Sequence, residues 1–203
     1  MSRKMQTGIA RSDTQTVWAI DPAHSTVEFS VRNFFFFIVK GRLTEFAGSI
    51  VLDHADIGGS SFEVSIKAAS IDTGSKRRDA HLRSADFLEV ERYPEIDFQS
   101  TRIEPGRDRD TLQLTGSLTL KGQSREIILE VDELDQSRSP EGEEVSYYGT
   151  SIELDRFDFG IGHRRGLIGR LLKITINVQA GRQQDVRLKD DGRAYSKISA
   201  MET

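Results

Sequence analysis

The side chains able to do chemistry are few. The chain holds four histidines, His24, His54, His81 and His163, and no cysteine. No histidine stands in an HExxH or HxH pattern, and no carboxylate accompanies one at ligand spacing, so no metal centre is expected. There is no GxSxG elbow, no P-loop and no thiol nucleophile, so no catalytic residue is assigned. Without cysteine neither a disulfide nor a thiolate metal site can form, and the redox compartment stays open. His24 follows Asp21-Pro22 and is expected to cap a turn. His81 reads first as a hydrogen-bonded residue at the mouth of the fold.

Two basic clusters remain. The stretch GIGHRRGLIGR, residues 160–170, sets His163, Arg164, Arg165 and Arg170 among glycines. It reads foremost as a solvated hairpin loop that uses glycine for positive φ. Its amides and arginines could also hold a phosphate. Arg164 and Arg165, with His81, are therefore the candidate contacts for an anionic head group. No strand-turn-helix unit surrounds the loop, so it is no dinucleotide fingerprint. Arg77, Arg78 and Arg83 form the second cluster, expected in ion pairs between a helix and a sheet.

The elements that must position these residues are almost all strands. Phe62, Val64, Ile66 and Ala68 alternate with polar neighbours, as do Val27, Phe29 and Val31. Leu112, Leu114, Gly116, Leu118 and Leu120 share one parity, and so do Leu172, Ile174, Ile176 and Val178. This period of two marks half-buried strands. About eight such strands are separated by turns of hairpin length, which makes them mostly antiparallel. Residues 136–144 read as a polar loop. One stretch opens like a helix, near residues 79–88, with Asp79 as N-cap and Leu82, Ala85 and Phe87 on its apolar side; Pro94 ends it. An antiparallel set must hide its edges, and either a closed barrel or a sandwich would serve.

The stretch 77–98 also carries a resemblance. Arg78-Asp79, His81-Leu82-Arg83-Ser84, Asp86-Phe87, Tyr93-Pro94 and Phe98 resemble the signature of the YceI-like family. Trp18 to Asn33, the Gly116–Leu120 run with Gly122, and Asp158-Phe159-Gly160-Ile161 are similar to it in the same order. The resemblance spans about Trp18 to Ala180. It implies an all-β fold: an extended, eight-stranded, antiparallel, lipocalin-like barrel with the short helix between strands. It also implies non-catalytic binding, storage or transport of a polyisoprenoid or other long-chain lipid. Where other members carry a histidine near position 33, this chain has Asn33, so that contact would be altered or lost.

On this reading the domain runs over 15–180, between a loose N-terminus (1–14) and a charged tail (181–203). The expected lining is Phe29, Val31, Val64, Ile66, Phe98, Leu114, Leu118, Leu129, Ile174 and Ile176, with Phe35 and Phe37. No cofactor is expected; the ligand would be a polyisoprenoid, an isoprenoid quinone or a fatty-acid-like lipid. Two alternatives stay open: an enzyme acting on an isoprenoid or its head group through His81 or His163, and a structural, oligomerising β domain with a filled core. Phe34 to Val39 is six apolar residues in a row. Burial against the cavity and a partner ranks first for this run, a homodimer being the expected assembly, and membrane docking ranks last. A formal net charge of −4 with mixed signs does not favour a nucleic-acid partner. No stretch approaches the ~20 apolar residues of a spanning helix, so stable membrane insertion is not expected. The opening residues lack an apolar signal segment, so a cytoplasmic location is expected, or a periplasmic one if a leader has been removed.

Overall fold

The computed structural model describes residues 15–33, 37–139, 142–162 and 168–183. Its strands are β1 (Gln15–Ile20), β2 (Thr26–Asn33), β3 (Phe37–Leu43), β4 (Phe46–Asp53), β5 (Ser61–Lys67) and β6 (Ile71–Asp72). Helix α1 (Lys76–Arg83) follows, then β7 (Glu95–Pro105), β8 (Thr111–Leu120), β9 (Gln123–Arg138), β10 (Glu144–Asp155) and β11 (Ile168–Gln183). Eight of them, in the order β1, β4, β5, β7, β8, β9, β10, β11, pair antiparallel, and β11 pairs back onto β1. Closure removes every edge within that ring, which an open sandwich would leave exposed. The barrel expectation holds.

The remaining strands prolong the ring at one end. The edge of β11 that meets β1 at Ile20↔Ala180 continues onto β2 at Asn177↔Thr26. Likewise β3 and β6 extend β4 and β5 past short breaks. The breaks are hydrogen-bonded rather than frayed. Asp21 accepts from the Ala23 amide at 2.9 Å and from His24 Nδ1 at 2.7 Å, so His24 does cap this turn. The Thr44 amide donates to Ser70 Oγ at 3.1 Å, and Thr44 Oγ1 donates to the Ser70 carbonyl at 3.2 Å, which ties the break in β3–β4 to the break in β5–β6.

Helix α1 starts at Lys76 with Ser75 at the N-cap position, earlier than expected, and Asp79 is not its cap. Asp79 lies in the first turn, buried, and accepts from the Thr73 amide at 3.0 Å and from Thr73 Oγ1. The sequence offered an acidic residue before an apolar run, but its carboxylate serves the incoming strand end instead. Ala85, expected inside, is exposed; Phe87 and Leu88 are buried through a turn in which the Leu88 amide donates to the Leu82 carbonyl. Strand β9 continues to Arg138, so part of the expected 136–144 loop is strand. Its end is polar on both faces and hides nothing, which erased the period-two signal, yet Tyr147↔Asp135 through Glu144↔Arg138 pair it with β10. Strand β11 likewise runs to Gln183, into the stretch expected to be tail. The proposed N-terminal segment 1–14 and residues 184–203 lie outside the described residues.

The β8–β9 turn shows why glycine follows Lys121. Lys121 (φ 50°) and Gly122 (φ 68°) both sit in the left-handed region that a two-residue hairpin needs. A Cβ on Gly122 would also stand 2.5 Å from the Tyr93 ring. The Tyr93-Pro94 pair is thereby packed against this turn, at the same end of the barrel as α1.

Candidate functional site

Inside the barrel lies a cavity of about 430 Å³. Its wall is mostly hydrocarbon, because the apolar parity of each strand faces it, β7 changing parity at its bulge between Ser100 and Arg102. Phe29, Val31, Val64, Ile66, Phe98, Leu114, Leu118, Leu129, Ile174 and Ile176 all stand on that wall. One end is sealed by Phe98, Ile103, Leu114 and Leu129, each buried and packed together. The wall reaches the surface at the other end, at Arg78 and His81 on α1. Between the ends the wall on β11 runs from Ile168 to Val178. At a rise of ~3.4 Å per residue and a tilt of ~40°, that is about 25 Å along the axis, long enough for an extended chain.

Glycines make room for the rings that cross the lumen. A Cβ on Gly41 would lie 2.4 Å from the Phe29 ring, and one on Gly116 would lie 2.5 Å from the Phe98 ring. The two aromatic rings therefore fold over the neighbouring strand instead of filling the centre.

Phe37 corrects one expectation. It has the cavity parity of Val39, but β3 runs past the rim, so its side chain is 69% exposed and does not line the cavity. Phe35, Arg164 and Arg165 lie outside the described residues. The ion pairs expected of Arg78 and Arg83 are replaced by bonds to backbone carbonyls. Arg83 donates to the carbonyls of Ala69 and Ile71, and Arg78 donates to the carbonyl of Thr73 and to Thr73 Oγ1. His81 packs edge-on against Phe87, ring centres 4.9 Å apart, with Nε2 3.5 Å from Asp86.

Arg156 and Tyr148 on the wall were not singled out on the sequence, and Asn33 was named only as standing in place of a family histidine. Arg156 is 4% exposed, and its Nε, Nη1 and Nη2 donate to the carbonyls of Gly169, Ile161 and Ile168 at 2.8, 2.6 and 3.1 Å. Burial pulls its pKa down from the ordinary arginine value while the charge of Asp155 opposes that shift. Asn33, paired with Ile168 across the strands, has a buried Oδ1 with no hydrogen-bond partner among the described residues. Tyr148 lines the wall, and burial pushes its phenol up. A lone arginine beside an apolar turn gives no periodic signal; the nearby Asp158-Phe159-Gly160-Ile161 match was the only pointer to it. Among the described residues no three His, Cys, Asp or Glu side chains converge on a metal-sized site.

A closed eight-strand barrel with a dry lumen is a lipocalin-like architecture. Comparison with known proteins makes the assignment specific. The chain belongs to the YceI-like family, matching its domain over residues 18–180. A UPF0312 protein of Vibrio cholerae is 32% identical over 139 residues, covering 68% of this chain and 73% of the relative. The fold is similar to that of Burkholderia cenocepacia BcnA, with a TM-score of 0.71 at 20% identity over 79% of this chain and 98% of that one. It is also similar to a polyisoprenoid-binding domain from Saccharophagus degradans, with a TM-score of 0.64 at 14% identity over 82% and 98%.

Proposed function

We propose that this protein binds one long-chain amphiphile of the isoprenoid class in the barrel and carries or stores it without chemical change. The observation that carries the reading is the polarity gradient of the cavity. The wall is mostly hydrocarbon, with Glu28, Tyr148 and Thr150 its polar members along the strands, and Asn33, Arg78, His81 and Arg156 gather at the α1 end. Such a wall accepts a tail inward and an oxygen-bearing head outward. Each buried methylene of the tail contributes about 0.8 kcal/mol before the costs of association. Membership of the YceI-like family and likeness in fold to a domain described as polyisoprenoid-binding support an isoprenoid over other lipids. The width of an eight-strand lumen favours a slim chain over a fused-ring ligand.

The test is native mass spectrometry of the purified protein followed by organic extraction. A prenyl lipid bound one to one is the expected result. Protein that stays empty and cannot be loaded with a prenyl alcohol or prenyl quinone would refute the reading, and release of a chemically altered lipid would replace it with an enzyme.

A further inference from the structure

The rim of the open end carries three apolar side chains that stay exposed among the described residues. Phe37, Ile38 and Leu171 are 69%, 61% and 54% exposed. Ile38 and Leu171 lie on the strands either side of Arg32, and Phe37, of the opposite parity, precedes Ile38 at the start of β3. Ile38 pairs with Arg32 across β2–β3, and Phe37 pairs with Asn33. Leu171 lies in a bulge of β11, where residues 169–171 stand opposite Arg32 alone, between the pairs Ile168↔Asn33 and Leu172↔Val31. Exposed apolar side chains gathered with cations at one rim mark an interaction surface.

Charge selects the partner. The patch is collared by Arg32 and Lys40, both exposed, and α1 adds exposed Lys76 and Arg77 at the same rim. Of the acids at this end, Asp72 pairs with Arg42 at 3.1 Å, Asp155 with Arg170, and Asp86 lies 3.5 Å from His81, while Asp158 is exposed. Glu28 and Glu153 lie deeper along the wall. The chain as a whole carries a formal charge of −4 and gathers exposed acids such as Glu126, Glu130 and Asp132 on β9. A two-fold dimer through the rim would set one basic collar against another. An anionic bilayer surface meets both features at once, taking the apolar side chains into the headgroup layer and the cations at the phosphates.

We infer that Phe37, Ile38 and Leu171, ringed by Arg32 and Lys40, dock the mouth of the barrel onto an anionic lipid bilayer. Docking is peripheral, and it would bring the doorway of the cavity to the membrane face. The inference goes beyond the lipid-binding reading and does not depend on what fills the cavity.

The test is flotation of the full chain with vesicles of phosphatidylcholine alone and of phosphatidylcholine with phosphatidylglycerol. The wild type should float with the anionic vesicles only, and less so as salt rises. Replacing Phe37→Ser with Ile38→Ser, or Lys40→Glu with Arg32→Glu, should each weaken flotation at least about tenfold. The exchange Glu126→Lys with Glu130→Lys on β9 should not. Circular dichroism checks that each variant folds, and sedimentation is run in parallel. Wild type that ignores anionic vesicles, or variants that float unchanged, would overturn the inference. Sedimentation of wild type as a dimer that the Phe37/Ile38 variant splits would overturn it too, making the patch a contact between copies. Prenyl-lipid loading of the same variants should be unchanged, so failure of docking and failure of cargo binding are read separately.

Discussion

Replacing Asp79 by alanine should unlock the helix that borders the cavity. The Asp79 carboxylate is 6% exposed and accepts from the amide and the hydroxyl of Thr73. That hydroxyl in turn accepts from Arg78 Nε at 2.7 Å, so strand end, turn and helix form one relay. Hydrogen bonds to a charged group are worth about 1.5–3 kcal/mol each, which gives about 3–6 kcal/mol for the two. Removing the carboxylate also relieves its burial, which offsets part of this. The net expectation is a loss of about 3 kcal/mol, or roughly 9 °C in Tm for a domain of this size. Asp79→Asn keeps an acceptor and should lose only about 1 kcal/mol. Guanidinium unfolding measures both, and amide exchange should show protection lost first over residues 71–84. Because α1 carries Arg78, His81 and Leu82 on the cavity wall, a bound fluorescent prenyl probe should leave the alanine variant faster. A loss below about 1 kcal/mol with unchanged exchange would refute the relay, and would mean that the helix is held chiefly by Phe87, Leu88 and the Arg83 bonds to the Ala69 and Ile71 carbonyls.

Leu118→Asp should leave the barrel folded by circular dichroism while abolishing uptake of a prenyl probe, because a carboxylate in a hydrocarbon lumen is costly beside an apolar tail; normal uptake by a folded variant would show that the ligand does not lie against β8. Gly116→Val should cost about 1–3 kcal/mol in urea unfolding, since its Cβ would meet the Phe98 ring at 2.5 Å and push that ring into the lumen, and prenyl affinity should fall with it. A stability change within error would mean that Phe98 has room to turn away. Asp21 titrates below its ordinary value, first through the hydrogen bond from His24, then against burial, with the Ala23 amide helping. A depressed carboxylate contributes stability above its unfolded pKa and loses it as pH falls through the folded value. Wild type should therefore exceed Asp21→Asn in urea midpoint at neutral pH, and the gap should close below about pH 4. A gap that does not change with pH would place the contribution elsewhere.

How much was legible follows from which signals are periodic. The apolar parity of β5, β8 and β11 could be read directly, because Val64, Leu114 and Ile174 each sit in unbroken alternation, but that it faces the lumen is a matter of the closed fold. Phe37 could not, since parity says which way a side chain points but not where the barrel wall ends. Asp79 was placed at the wrong position in the helix because an acceptor that serves a preceding strand looks the same in sequence as one that caps a helix. Arg156 gave no periodic signal, and only the neighbouring Asp158-Phe159-Gly160-Ile161 match pointed toward it. Its donors are taken by carbonyls of residues 161, 168 and 169, partners that only the folded turn brings together.

The strand breaks show how the chain keeps one dry lumen through a change of direction. On β1 the wall residue is Ile20, an even position, whereas on β2 the wall is Val27, Phe29 and Val31, all odd. On β3 it is Val39 and Leu43, odd, and on β4 it is Phe46, Ile50 and Leu52, even. On β5 it is Phe62, Val64 and Ile66, even, and on β6 it is Ile71, odd. Each break thus reverses parity. An uninterrupted strand would carry its apolar side chains to the outer face past that level, since a slip of one residue flips the whole set. The insertions at Asp21 to Ser25, Thr44-Glu45 and Ala68 to Ser70 return the apolar set to the lumen, and the bonds between Thr44 and Ser70 hold two of them level. Strand β8 has no such break, and Leu112 to Leu120 keep one parity throughout. The prolonged side of the barrel, formed by β2, β3 and β6, is the one that receives α1, so the same insertions that keep the cavity dry also build the rim where its polar residues stand.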